Sequence, residues 1–232
     1  MDVVALLGPP GSGKSTVAAA LTAERGDVRV FRLREFAHQQ AHTDRAVAKA
    51  LVGSRDPLGW LPDTVAAVLV RRALDRYAPT GGVLLMESYP GASNQARSLA
   101  WELSRLGCGG GVIELAAPES ILRQRIQQRL VCPMCDPQRR RPAWPHPDQP
   151  TSCASCGTEL ERRANDAARV TARRLARYQN YAPQARAVLR TSGLAWHTVD
   201  ASQDQPLVIA TALSTFRSLV PVPSEVVTKG HA

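Results

Sequence analysis

The chain has 232 residues, 44% of them hydrophobic, five cysteines and a formal net charge of +9 with an isoelectric point near 9.9. This length suits one α/β domain with an insertion, and the hydrophobic share supplies a core without disulfides. No apolar run reaches the ~20 residues that a membrane span needs.

The first predicted element is a strand over residues 3–7, Val3-Val4-Ala5-Leu6-Leu7. It runs straight into GPPGSGKST at residues 8–16, which fits G-x-x-x-x-G-K-[ST], the phosphate-binding loop. Glycines let backbone N–H groups close around phosphate oxygens, where a Cβ would block the approach. Lys14 brings a positive charge to the β- and γ-phosphates, and the Ser15 hydroxyl can ligate Mg²⁺. A helix over about 14–24 follows, and its dipole favours an anion at its N-terminus.

Strand and helix patterns then alternate. Val28–Phe31 reads as a short strand, 35–52 and 62–77 as helical, and Val83–Met86 as a buried strand. Residues 94–106 read as a helix, Gly107 through Gly111 as loop glycines, and Val112–Leu115 as a strand. A helix is expected over 119–130 and a long one over 162–190, then a strand at Trp196–Val199 and a last helix over 205–219. Short apolar strands separated by helices predict a parallel sheet covered on both faces. Residues from Pro221 on carry no periodicity and read as a tail.

Residues 131–161 break this rhythm with six prolines and four of the five cysteines. Cys132-Pro133-Met134-Cys135 and Cys153-Ala154-Ser155-Cys156 form two C-x-x-C pairs 17 residues apart, a zinc-site spacing. Four thiolates close a tetrahedral shell, so the site is structural and replaces a core that so short a segment cannot build. The N-terminus has no basic segment leading into an apolar stretch and cleavage site, so a cytoplasmic location is expected and the cysteines read as metal ligands. The remaining cysteine, Cys108, reads as a small buried apolar residue.

The positive charge admits nucleic acid, a membrane surface or small polyanions as partners. The arginines are scattered, with Arg139-Arg140-Arg141 the only run of three, and the zinc module holds only one aromatic, Trp144. With a phosphate loop present, polyphosphate binding is favoured over nucleic acid.

Further motifs resemble the adenylate kinase family of nucleoside monophosphate kinases. Leu58-Gly59-Trp60-Leu61-Pro62-Asp63 resembles its G-x-L-V-P-D segment, which holds the acceptor base. Arg125 through Cys132 is similar to the helix end that leads into the family's lid. Arg163-Ala164-Asn165-Asp166, with Arg173-Arg174-Leu175 and Tyr178, resembles its R-x-D-D…R-L-x-x-Y stretch, and Val199-Asp200 falls where the last strand leads to the adenine side.

The resemblance implies a three-layer P-loop kinase fold with a parallel sheet, a helical acceptor-binding flap and a zinc-stabilised lid. The implied core is 1–31, 67–129 and 163–219, the flap 32–66, the lid 130–162 and the tail 220–232. It implies transfer of the ATP γ-phosphoryl group to a nucleoside monophosphate, AMP-like by Gln95 and the segment 58–63, in a monomer using Mg²⁺ with ATP. Lys14, Arg129, Arg163 and Arg174 are the implied catalytic cations. Gly8, Gly11, Ser12, Gly13, Lys14, Ser15, Thr16 and Arg129 are the implied ATP-binding set. His38, Leu61, Glu87, Gln95, Arg163 and Arg174 are the implied acceptor-side residues, and Ser15 and, through water, Glu87 the Mg²⁺ ligands.

The acceptor side departs from the family. Its G-D-x-x-R reads Arg34-Glu35-Phe36-Ala37-His38 here, and its D-G-F-P-R-T reads Glu87-Ser88-Tyr89-Pro90-Gly91-Ala92. His38 and Gly91 thus stand where two acceptor-clamping arginines are expected, and Asn165 replaces an aspartate. Arg32, Arg34, Arg45 and Arg97 are the possible substitutes, while Arg173 and Arg177 read as solvated helix face. Two other functions compete with transfer: an ATP-dependent switch without catalysis, and a zinc-ribbon nucleic-acid binder.

Overall fold

The computed structural model describes residues 1–53, 56, 58, 60–139, 141–163 and 166–221. Gly59, Arg140, Ala164, Asn165 and nearly all of the expected tail lie outside the described residues. The sheet has five parallel strands in the order β2-β3-β1-β4-β9, formed by β1 (Asp2–Leu7), β2 (Val28–Phe31), β3 (Val83–Glu87), β4 (Gly109–Ala116) and β9 (Ala195–Asp200).

β1 explains why the sheet must be covered twice. Its side chains alternate, so Val3, Ala5 and Leu7 join one buried cluster and Val4 and Leu6 the other. The first cluster is closed by α4 (Asp63–Tyr77), α5 (Ser93–Leu106) and α7 (Ala168–Thr191), through Leu69, Leu99 and Leu189. The second is closed by α1 (Lys14–Glu24) and α8 (Gln205–Leu219), through Leu21 and Phe216. This is the three-layer α/β architecture expected from the alternation.

Two boundaries differ for local reasons. The helix expected over 35–52 is two helices, α2 (Leu33–Ala41) and α3 (Arg45–Val52). Asp44 divides them. Its Oδ1 accepts from the N–H groups of Ala46 and Val47 at 2.8 and 3.1 Å, an N-cap that starts α3. Its Oδ2 pairs with Arg72 of α4 at 2.7 Å. The helix expected over 162–190 starts only at Ala168, because Glu161–Arg162 is a strand (β8) that pairs antiparallel with β5 (Leu130–Val131). For the same reason α6 (Glu119–Gln128) ends before residue 130.

The glycines at 109–111 are strand, not loop, and only Gly107 makes the turn, at φ 62°. Gly110 sits opposite Val3 with φ 128°, and a Cβ there would lie 1.9 Å from the Val3 carbonyl oxygen. A Gly110→Ala variant is expected to lose about 3 kcal/mol of stability, from overpacking and a backbone angle alanine resists. A urea midpoint unchanged from the parent chain would contradict this.

The segment between β5 and β8 is a small module. β6 (Pro145–His146) pairs antiparallel with β7 (Gln149–Cys153), and the buried residues there are Cys132, Cys153 and Leu160, with Leu130 and Ala143 against them. No helix among the described residues is long and apolar enough to cross a membrane.

Candidate functional site

The phosphate loop leaves the end of β1, the middle strand of the sheet, and opens into α1. Gly8, Gly11 and Gly13 have φ of 147°, 84° and 93°. Space as well as conformation requires the first two: a Cβ at Gly8 would meet the Leu115 carbonyl oxygen at 2.6 Å, and one at Gly11 the Leu122 carbonyl oxygen at 2.9 Å. Gly13 precedes α1 directly, so the N–H groups of the first turn open toward the loop. Ser12 is buried, and Thr16 lines the cleft with the loop.

Lys14 Nζ donates to the carbonyls of Gly8 and Pro9, both at 2.8 Å, so the ammonium lies across the loop. Burial pushes its pKa down to about 8; Arg174 and Arg129 add to this, while Glu87 opposes it. Arg129, Arg163 and Arg174 reach the same place from the end of α6, the segment before α7 and α7 itself. Burial and neighbouring arginines lower the Arg163 and Arg174 pKa values. Arg129 grips Asp166 with two hydrogen bonds, of 2.7 and 2.5 Å. Among the described residues the side chains of Arg163 and Arg174 have no hydrogen-bond or ion-pair partner. Cations crowded together and poorly solvated in this way form a strong anion site.

Glu87, at the end of β3, faces this cluster. Its Oε1 accepts from Ser15 Oγ at 2.5 Å, and its Oε2 pairs with Arg32 at 2.6 Å. A hydroxyl and a carboxylate in contact are the hard oxygen donors that Mg²⁺ takes, so the pair fits the ion.

These residues line one cleft of about 760 Å³. Its other half is built by Arg34, Leu58, Trp60, Leu61, Tyr89 and Gln95. Leu61 is buried there. Gln95 is 5% exposed and already engaged: Oε1 accepts from the Gly91 N–H, and Nε2 donates to Asp63 Oδ1, both at 2.9 Å. His38 is exposed and outside the cleft lining, because α2 turns Phe36 and Ala37 into the core. Of the possible substitutes, Arg32 and Arg34 line the cleft, whereas Arg97 is exposed and bonds Asn94.

Arg177 corrects the sequence expectation. It is not solvated helix face: its guanidinium lies 3.7 Å from the centre of the Trp60 ring, and it pairs with Asp56. Trp60 in turn lies over Gly91, where a Cβ would meet its ring at 2.7 Å. Neither contact shows in residue spacing, because both join segments far apart in the chain. Arg173 is exposed, as expected.

In the inserted module the four cysteine sulfurs lie within 4.8 Å of one another. Three Sγ–Sγ distances are 3.4, 3.4 and 3.9 Å. Tetrahedral zinc with bonds of ~2.3 Å sets its sulfurs ~3.8 Å apart, so the cluster fits that ion. Of the basic run beside it, Arg139 pairs with Glu161.

A parallel sheet of this order, a phosphate loop at its central strand, converging arginines and a four-cysteine module over the cleft define a P-loop nucleotide kinase. Residues 4–136 match the family model described as an AAA domain. The chain is 32% identical over 180 residues to the adenylate kinase of Symbiobacterium thermophilum, covering 76% of this chain and 81% of that one. It is 30% identical over 208 residues to the adenylate kinase of Moorella thermoacetica, covering 88% and 93%. The chain belongs to the adenylate kinase family.

Proposed function

We propose that the chain transfers the γ-phosphoryl group of ATP to a nucleoside monophosphate or a related phosphorylated acceptor. The observation that carries this reading is the meeting of Lys14, Arg129, Arg163 and Arg174 at the mouth of the phosphate loop, two of them with no ion-pair partner among the described residues. Phosphoryl transfer asks mainly for positioning and charge neutralisation, and fixed cations in a water-poor cleft supply both.

In this reading the loop N–H groups and Lys14 hold the β- and γ-phosphates, and Arg129, oriented by Asp166, faces the donor. Arg163 and Arg174 grip the acceptor phosphate and the group in flight, where a guanidinium fork binds oxygens in pairs. Ser15 and, through water, Glu87 would hold Mg²⁺, which supplies further neutralisation of phosphate charge. The cysteine module closes over the phosphates and limits hydrolysis by water.

The experiment is a transfer assay with ATP–Mg²⁺ and a panel of monophosphates, read by mass spectrometry of the products. Arg174→Ala is expected to lower kcat about a hundredfold while ATP binding changes little. An absence of transfer to every acceptor would refute the reading. Tight ATP binding in that case would favour the second one, a switch without catalysis, which the loss of arginines at 38 and 91 supports.

A further inference from the structure

The acceptor half of the cleft is fitted to take a base by its face rather than by its hydrogen-bonding edge. The amide of Gln95, at the position the family resemblance assigns to reading adenine, has its oxygen on the Gly91 N–H and its nitrogen on Asp63. Arg32 is bound to Glu87, and Arg177 to Asp56. Arg34 and Ser88 aside, what remains on this wall is largely apolar and aromatic, with Leu58, Trp60, Leu61, Tyr89 and Pro90.

Trp60 is the largest of these, and its pose is fixed from two sides. Over Gly91 the ring occupies space that any side chain at 91 would need. Arg177 stacks on it at 3.7 Å, and its Nε is buried with no hydrogen-bond partner among the described residues, so the stack itself orients that end of the arginine. Tyr181 stands beside both, its ring 6.4 Å from that of Trp60. Trp60 and Leu61 also line a second pocket of about 700 Å³, so they form the partition between the two spaces. An aromatic held this firmly at a cleft wall is a stacking platform, and stacking tolerates any base because every base has a π-face.

We propose that Trp60 is the specificity-determining residue of the acceptor side, and that it admits nucleoside monophosphates of all four common bases by stacking. Gly91 and Arg177 are positioning residues that hold its ring. This rests on the acceptor half of the cleft being where the preceding reading places it, but it concerns binding and does not require transfer.

The test measures equilibrium binding of AMP, GMP, CMP and UMP by calorimetry, with a non-hydrolysable ATP analogue present. The four dissociation constants are expected to agree within about tenfold. Trp60→Ala is expected to weaken all four by roughly tenfold or more, with Trp60→Phe restoring most of the loss and the ATP analogue binding unchanged in both. Unaltered monophosphate binding in Trp60→Ala, a wild-type preference for one base above a hundredfold, or no monophosphate binding would each overturn the proposal. Binding of all four without transfer would refute the kinase reading and leave this one standing.

Discussion

Replacing Lys14 by methionine is expected to cut phosphoryl transfer about a thousandfold with the fold retained. The ammonium lies across the loop on the Gly8 and Pro9 carbonyls, among Arg129 and Arg174. No other described cation shares that position. Arginines at the rim are too broad to sit within the loop, where a compact charge on a flexible stem is needed. Methionine keeps the apolar stem and removes only the charge. The check is steady-state transfer beside a thermal melt. More than a tenth of the parent rate in a folded variant would remove Lys14 from the chemistry.

Removing metal from the cysteine module is expected to have the next largest effect. Among the described residues the module buries two of its own cysteines and Leu160, so little apolar packing replaces the metal if it leaves. Chelation, or Cys153→Ser, is expected to unfold residues 132–160 while the five-stranded sheet stays folded, because its two clusters lie elsewhere. Transfer should fall about a hundredfold as water reaches the phosphates. The measurements are one equivalent of zinc in the purified protein and loss of amide-exchange protection confined to the module. Full protection and activity in a zinc-free sample would refute the structural role.

The layered fold was legible because buried parallel strands write themselves as short apolar runs, and the phosphate loop places one of them at the centre. Helix boundaries were less so. The division at Asp44 had a local signal, an aspartate two and three residues before the backbone N–H groups it caps, masked by apolar periodicity on both sides. The strand at 109–111 had none, since glycines read as turn; only the nearness of Val3 and Ala195 shows why nothing larger fits. At the site, the phosphate-loop motif and the family resemblance named Lys14, Arg129, Arg163 and Arg174, which line one cleft. Arg177 and Trp60 escaped because their partnership links residues 117 positions apart, and the bond from Gln95 to Asp63 spans 32.

The sheet order separates two kinds of inheritance. The phosphate loop springs from β1, flanked by β3 and β4, and its glycines press on Leu115 and Leu122, so altering it disturbs the scaffold. The helices α2 and α3, with Trp60, form an excursion between β2 and β3, and β2 is an edge strand. Phe36, Ala37 and Val47 of that excursion pack in the core, but its exposed positions make no contact with the sheet's pairing. Such an excursion can change its exposed side chains, His38 among them, without disturbing the strands that carry the phosphate loop.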